Sequence, residues 1–212
     1  MDACYEIKPD DLQFPIVHSR STGSLVAPTA EAGEWQGEVR IGGGLIGVFP
    51  TIESKQRLSK GGLELKQVVT LTGRIEAFVM IKKGDTISYG GQTYHSQDDA
   101  VIGWLNLGYN DGLPSTIQGK PLFKYRKERC SIVGALGMNF SALDVTAPFS
   151  KLDTDVQQRL FDGLINAADD VIVLDGDEQC VEHFANEASV PHYSLLTEFG
   201  KGGLNKYVGE LS

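Results

Sequence analysis

A run of glycines in the first quarter of the chain has the spacing of a phosphate-binding loop. Gly42-Gly43-Gly44-Leu45-Ile46-Gly47 matches the pattern GxGxxG, in which glycines allow backbone N–H groups to approach a phosphate closely. A dinucleotide-binding fold would require a helix to begin here, whereas residues 45–49 have the apolar character of a strand that Pro50 ends. The run is therefore either an ordinary glycine turn or a loop that contacts a phosphate outside such a fold.

Other residue types that carry chemistry do not form recognisable motifs. The carboxylates are widely spread, and no HExxH, GxSxG or Walker sequence occurs. The histidines lack the mutual spacing of metal ligands: His18, His95, His183 and His192. We therefore predict no metal site. From the residues alone, Tyr89 is as much an ordinary strand-end tyrosine as a functional phenol.

The composition is that of a chain that can bury a substantial core. Of its 212 residues, 41% are hydrophobic, and the net charge of -9 argues against a nucleic-acid partner. No apolar run reaches the roughly 18 residues that span a bilayer, and the first residues do not resemble a signal peptide. The cysteines are scattered and odd in number, which favours a reducing cytoplasm: Cys4, Cys130 and Cys180. We expect a cytoplasmic protein without a membrane partner.

Short strands separated by glycine turns are predicted for most of the chain. The 25 glycines lie mostly between short apolar runs, which favours a small barrel or sandwich. Strands are predicted at 14–18, 39–41, 45–49, 86–89, 101–107, 131–134, 143–145 and 171–174. The polar stretch 51–62, which ends in two glycines, is predicted as a domain boundary.

Two stretches break the β pattern and predict amphipathic helices. In 151–168 apolar residues recur at every fourth position: Leu152, Val156, Leu160, Leu164 and Ala168. Ser150 or Asp153 would cap this helix. A second helical face is predicted within 177–189.

Five short motifs occur in an order that is more informative than any one of them. They are His18-Ser19-Arg20-Ser21-Thr22-Gly23, the stretch 39–47, the stretch 83–90 with Ser88-Tyr89-Gly90, the stretch 102–112 with Gly108-Tyr109-Asn110-Asp111-Gly112, and the stretch 132–139. In this order they resemble the alanine racemase patterns H-x-A-N-S-A-G, V-R-P-G-I-A-L-Y-G, G-x-x-V-S-Y-G, G-x-x-x-x-G-Y-A-D-G and I-V-G-R-V-C-M-D. The resemblance covers about residues 16–145.

The resemblance implies a mainly β architecture with a fragment of a second domain. Residues 63–212 would form an alanine racemase C-terminal-like β-barrel domain with inserted helices. Residues 1–52 would be a remnant of the C-terminal end of a (β/α)8 barrel that binds pyridoxal 5'-phosphate. The family's lysine stands in a K-A-x-A-Y-G-H-G context, and no lysine here is followed by a similar sequence. A lysine-bearing N-terminal barrel subunit, a homo-oligomer, or both are implied as partners.

The resemblance also implies residues that hold the cofactor. Ser21 and the backbone around Gly42 and Gly43 would hold the phosphate of pyridoxal 5'-phosphate, which would be shared with the partner chain. Arg40 would face the ring nitrogen, where a permanently charged guanidinium keeps that nitrogen unprotonated. Tyr207 would be a further phosphate contact.

The remaining roles concern the substrate, which the resemblance implies is a small amino acid. Tyr89 would be one acid/base for proton exchange at the α-carbon. A phenol, with a pKa of about 10, acts near neutrality only if cations stabilise its anion. The Met138 backbone N–H would meet the substrate carboxylate, and Tyr109 would narrow the entrance.

Several positions depart from the family patterns. Ala135, Gly137 and Asn139 stand where the family has arginine, cysteine and aspartate, and one extra residue follows Tyr89. Residues 147–170 insert a helix where the family has a short turn. This helix would either form a partner-binding face or serve only to pack the domain. Two main functions stay open: the C-terminal subunit of a split racemase, and a non-catalytic binding or regulatory module derived from a racemase. A third, weaker option is a fragment that self-associates and does chemistry without a cofactor.

Overall fold

The chain forms two compact units, residues 1–66 and 67–212. The computed structural model describes residues 18–21, 38–60, 62, 64–89, 92–164, 170–176 and 179–201. In the first unit, strands β1 (His18–Ser21) and β2 (Glu38–Arg40) pair in parallel, and helix α1 (Ile52–Lys60) follows. The strand predicted at 14–18 lies outside the described residues except for His18.

The glycine run forms a 3₁₀ turn at Gly43–Ile46, so the strand predicted for 45–49 is wrong. Val48 N–H donates to the Gly43 carbonyl at 2.8 Å, and Gly47 ends the turn with a left-handed φ of 71°. Glycine adopts that conformation without a steric penalty, which favours a turn over a strand. The predicted boundary at 51–62 contains α1, whose first turn is capped by Thr51: its Oγ accepts the Ser54 N–H at 3.1 Å.

The second unit is built on one antiparallel sheet and one hairpin. The sheet contains β3 (Leu71–Gly73), β4 (Ile75–Ile81), β7 (Ala100–Leu105), β8 (Phe123–Tyr125), β9 (Glu128–Val133), β10 (Ser141–Asp144) and β11 (Val171–Leu174). Its strand order is β3-β11-β8-β9-β10-β7-β4. Strands β5 (Thr86–Tyr89) and β6 (Gln92–His95) form the hairpin.

The sheet curls because its two edge strands are halves of one segment of chain. Only Arg74 separates β3 from β4, yet β3 pairs with β11 and β4 pairs with β7 at the opposite edge. Asn106 bridges the break: its Oδ1 accepts the Arg74 N–H at 2.7 Å, and its N–H donates to the Arg74 carbonyl at 2.9 Å. The predicted mainly β, barrel-like fold is confirmed.

Helices cover the sheet through aromatic contacts. Helices α2 (Thr146–Phe149) and α3 (Thr154–Phe161) lie over β4, where the rings of Phe149 and Phe78 are 5.3 Å apart between centroids. Helix α4 (Val181–Ala188) lies near β8, where Phe184 meets the edge of Phe123, and helix α5 (His192–Lys201) packs against α4 through Phe199 and Phe184. In the described part of the chain, none of the helices has the length and apolar character that a bilayer span requires.

The first inserted helix is shorter than the predicted 151–168. Asp153, one of the two predicted caps, stands at the N-cap position, but its side chain makes no capping hydrogen bond, and α3 ends at Phe161. Gly163 has a φ of 66°, and the Leu164 N–H donates to the Arg159 carbonyl at 2.9 Å. This glycine-centred C-terminal motif stops the helix and leaves Leu164 69% exposed. The second helix is confirmed as α4, whereas α5 was not predicted.

Candidate active site

The β5–β6 hairpin presents Tyr89 at its end. Tyr89 pairs with Gln92, and Ile87 pairs with Tyr94 nearer the root. Ile87 and Tyr94 pack against a buried cluster of the sheet: Ile81, Ile102, Val133 and Ala142. Because the root of the hairpin is held in the core, its end stands out from the sheet, and Tyr89 is 49% exposed.

Backbone hydrogen bonds fix the root of the hairpin. Gly84 N–H donates to the Ser96 carbonyl at 2.9 Å, and Ser96 N–H donates to the Asp85 carbonyl at 2.8 Å. Ser96 is buried, and its hydroxyl donates to the Asp98 carbonyl at 2.6 Å. These hydrogen bonds therefore hold in place the root of the hairpin that carries Tyr89.

A 3₁₀ turn at Tyr109–Asp111 brings Tyr109 beside Met138. Tyr109 N–H donates to the Gly137 carbonyl, and Asn110 N–H donates to the Met138 carbonyl, both at 3.0 Å. A Cβ at Gly108 would lie 2.3 Å from the Gly137 oxygen, so only glycine allows this approach. Two residues predicted to act on the substrate thus lie on loops that are tied together.

The two predicted tyrosines are in contact. A side-chain hydrogen bond joins Tyr109 to Tyr89, and this bond is the main cause that raises the pKa of Tyr109; partial burial and the charge of an ionised Tyr89 act in the same direction. A raised pKa means that the Tyr109 phenol keeps its proton well above neutrality. The two phenols are hydrogen-bond partners, and each hydroxyl can donate or accept in this pair.

The loop that is tied to the Tyr109 turn carries two exposed apolar side chains. Met138 and Phe140 are 50% and 48% exposed, and the Gly137 N–H donates to the Phe140 carbonyl at 3.0 Å. We call Tyr89, Tyr109, Met138 and Phe140 the tyrosine face. Among the residues that the structure describes, the Met138 N–H donates to no backbone carbonyl, so it can donate to an anion that reaches it.

In the first unit, strand register brings the predicted cofactor residues together. Ser21 pairs with Arg40 in the parallel β1–β2 ladder. Each is the last residue of its strand, so both lie at the carboxyl edge, where parallel sheets bind ligands. Arg40 is exposed, and a Cβ at Gly42 would meet no atom within 4 Å. Gly43 is buried and begins the 3₁₀ turn, and Tyr207 lies outside the described residues.

Arg40, Ser21 and the open backbone at Gly42 suit an anionic cofactor. Arginine is a preferred partner of phosphate and of ring acceptors because its charge is permanent and its donors are forked. A serine at a strand end and a glycine without a side chain allow direct contact with phosphate oxygens. The residues therefore fit pyridoxal 5'-phosphate.

A cavity of about 350 Å³ adjoins the loop that carries Tyr109 but contains none of the predicted site residues. Its polar lining comes from Thr72, Arg74, Glu76, Asn106, Asp111 and Asp170. Arg74 and Asp170 form an ion pair at 3.6 Å, with both side chains mostly exposed. No group of metal-binding residues occurs in the part of the chain that the structure describes.

The sequence alone assigned no role to Asp111, although this residue lies within the motif at 102–112. Its Oδ2 accepts the Gly108 N–H at 2.8 Å and caps the turn that carries Tyr109. An aspartate three residues after the glycine that begins a turn is the sequence signal for such a cap.

Comparison with known proteins identifies the family. The model of the alanine racemase C-terminal domain matches residues 68–207. The chain belongs to this family. It is 23% identical to the alanine racemase of Borreliella burgdorferi strain ZS7 over 202 residues, which are 95% of this chain and 48% of that protein. The chain spans about half the length of the curated relatives it matches first.

Solved alanine racemases share the fold. The enzyme from Bacillus anthracis with bound L-Ala-P has a TM-score of 0.71 and 19% identity over 93% of this chain and 46% of that chain. The enzyme from Bartonella henselae with covalently bound pyridoxal phosphate has a TM-score of 0.57 and 22% identity, over 76% of this chain and 39% of that chain. The family and fold predicted from the motif order are confirmed, and the residue roles stay predictions.

Proposed function

We propose that this chain is the C-terminal subunit of a split, pyridoxal phosphate-dependent racemase of small, alanine-type amino acids. It supplies Tyr89 as one acid/base and Arg40 and Ser21 to the cofactor, and a partner chain supplies the lysine. The observation that carries the proposal is the hydrogen bond of Tyr109 to Tyr89 beside the available Met138 N–H. A proton-transfer group and an anion donor thus occupy one exposed surface.

The tyrosine pair is suited to exchange a proton with one face of the α-carbon of a substrate. Racemisation requires a proton to leave one face of the α-carbon and to return on the other. When Tyr109 donates the hydrogen bond of this pair, the Tyr89 O–H is free to face a substrate. Tyr89 holds and moves the proton, and Tyr109 orients it.

The Met138 N–H provides the second contact with an amino acid. A backbone N–H in a fixed loop is a good donor to a carboxylate, since no side-chain entropy is lost on binding. The Tyr109 and Asn110 hydrogen bonds fix this donor relative to the tyrosine pair. An α-amino acid, whose carboxylate is attached to the α-carbon, would bring both groups into use at once.

Ser21, Arg40, Gly42, Gly43 and Tyr207 would hold the cofactor. Pyridoxal phosphate supplies an electron sink that makes the α-proton of a bound amino acid removable. Arg40 would leave the ring nitrogen without a proton and so weaken the sink, which favours simple proton exchange over other outcomes. Ser21 and the Gly42–Gly43 backbone would bind the phosphate.

Two features of the chain support a partner that carries the lysine. No lysine stands in the family's K-A-x-A-Y-G-H-G context, and racemisation needs a second acid/base. Within the residues of the first unit that the structure describes, β1 and β2 form a two-stranded parallel sheet, and parallel strands are stable when further strands and helices cover them. The exposed rings of the tyrosine face would also be covered.

The test is to purify a tagged chain from its native host and examine what accompanies it. A co-purifying barrel-like chain, visible absorbance of bound cofactor and racemisation of alanine would support the proposal. In that complex Tyr89→Phe should lower kcat by about 10²- to 10⁴-fold, the usual contribution of a general acid/base.

Tyr193→Phe is the matched control, since Tyr193 lies on α5 and is similarly exposed. A complex without cofactor, or one in which Tyr89→Phe and Tyr193→Phe behave alike, would refute the racemase. That result would favour a non-catalytic binding module.

A further inference from the structure

We propose that Asp111 is a positioning residue for the tyrosine pair: its carboxylate sets the direction of Tyr109 and, through Tyr109, that of Tyr89. Asp111 touches neither tyrosine ring in this role. It acts through the backbone of the turn on which Tyr109 stands, and the inference rests on the proposed function for its catalytic consequence.

The carboxylate closes the turn onto itself. Asp111 Oδ2 accepts the Gly108 N–H at 2.8 Å, while the Asp111 N–H donates to the Gly108 carbonyl at 3.2 Å. These reciprocal bonds enclose Tyr109 between Gly108 and Asp111, so its backbone dihedrals cannot change unless one bond breaks. A bond to an ionised acceptor is stronger than a neutral one.

Other hydrogen bonds hold the turn without the Asp111 carboxylate: the Gly112 N–H donates to the Tyr109 carbonyl at 3.2 Å, and the Leu113 N–H donates to the Gly108 carbonyl at 3.3 Å. Tyr109 and Asn110 N–H groups donate to the Gly137 and Met138 carbonyls. The Ser141 hydroxyl, which is buried, donates to the Leu107 carbonyl at 2.6 Å at the start of the loop. Loss of the Asp111 hydrogen bond should therefore leave the loop bonded to the Gly137 and Met138 carbonyls. Only the direction of the Tyr109 side chain should then be free to change.

A ring that changes direction at Tyr109 would lose its hydrogen bond to Tyr89. This bond is the main cause of the raised pKa of Tyr109, so the titration of Tyr109 reports whether the pair is intact. Because the pair lies within this chain, the titration can be followed without any partner.

The experiment is an NMR titration of ring-labelled tyrosines in the full chain, with Tyr89→Phe and Tyr109→Phe spectra to assign the two signals. Asp111→Ala should lower the Tyr109 midpoint to that found in Tyr89→Phe, whereas Asp111→Asn, which keeps an acceptor oxygen, should retain the wild-type midpoint. Asp175→Ala is the matched control, because Asp175 also accepts a backbone N–H, that of Gln179 at 3.0 Å.

An unchanged Tyr109 midpoint in folded Asp111→Ala would overturn the inference. Asp111→Val, with a similar shape and no acceptor, is the second variant. If neither variant folds by circular dichroism, Asp111 supports the domain as a whole and the positioning role is refuted.

In the racemase complex, Asp111→Ala should lower kcat by about 10- to 100-fold, since small misplacement of a reacting group has that effect. Asp111→Asn should restore it, and cofactor absorbance should stay constant. A shifted titration in a chain whose complex does not racemise would uphold the positioning role and refute the proposed function. A racemase whose kcat is unchanged in Asp111→Ala would overturn the catalytic part of the inference alone.

Discussion

Gly108→Ala tests the contact on which the tyrosine face depends. The new Cβ would lie 2.3 Å from the Gly137 oxygen, 2.4 Å from the Met138 oxygen and 2.5 Å from the Met138 carbonyl carbon. All three are backbone atoms, so no side-chain rotation can relieve the clash. Gly108 itself is in an extended conformation, with φ -144°, which any residue adopts. The whole effect is therefore steric.

The expected loss of unfolding free energy follows from the interactions that are lost when the two loops separate. The two loops would move apart and lose the Tyr109 and Asn110 hydrogen bonds, which contribute about 0.5–1.5 kcal/mol each. Residual overpacking adds about 1–3 kcal/mol. We therefore expect the free energy of unfolding of the second unit to fall by roughly 2–6 kcal/mol. That is a large part of the roughly 5–15 kcal/mol typical of a domain.

The assay is urea unfolding followed by circular dichroism, with Gly200→Ala as control. Gly200 lies in α5, and a Cβ there meets no atom within 4 Å. That control should be neutral or stabilising by about 0.5–1 kcal/mol, as expected for glycine to alanine in a helix. A loss below about 1 kcal/mol in Gly108→Ala, within the range of ordinary surface changes, would refute the close loop contact. The Tyr109 titration should also move to its ordinary pKa.

Three further results are expected. Burial raises the pKa of the Cys130 thiol to about 12, so mass spectrometry should find Cys130 unalkylated by iodoacetamide at pH 8 until the chain is unfolded; rapid native alkylation would contradict this. Ser141→Ala should cost about 1–3 kcal/mol, because the buried Leu107 carbonyl loses its donor, whereas exposed Ser150→Ala should cost less than about 0.5 kcal/mol in the same urea assay. Burial lowers the pKa of His192, so its contribution to stability is present above the ordinary histidine pKa and is lost as the pH falls through the folded pKa. His192→Gln should therefore flatten the fall of unfolding free energy below about pH 6.5, and an unchanged slope would contradict this.

Local sequence signals predicted the parts of the fold that depend on neighbouring residues. The strands at 86–89 and 171–174 are confirmed at their predicted limits, since a short alternating or apolar stretch bounded by turn residues has few alternatives. The same reasoning failed at 45–49. There an apolar run follows three glycines, and the backbone freedom of glycine allowed a 3₁₀ turn to form instead.

The helix over 151–168 shows the limit of periodicity. Leu164 continues the apolar repeat, but Gly163 lies within it and ends the helix by a left-handed turn. A glycine inside a helical pattern is compatible with continuation or with a C-terminal stop, and the choice depends on whether the following residues gain by packing. Leu164 is mostly exposed, so its packing contributes little that would favour continuation of the helix.

By itself, the sequence determined the family, the mainly β character and the identity of the candidate residues, because motif order and short-range periodicity are properties of the chain. Tertiary structure alone decided which residues meet: Ser21 opposite Arg40, Tyr109 bonded to Tyr89, and Gly108 against Gly137. The first contact depends on strand register, and the other two lie in the unit whose sheet curls where Asn106 bridges the break at Arg74. A shift of one residue in register would turn each side chain to the other face of the sheet, and no local signal specifies that choice.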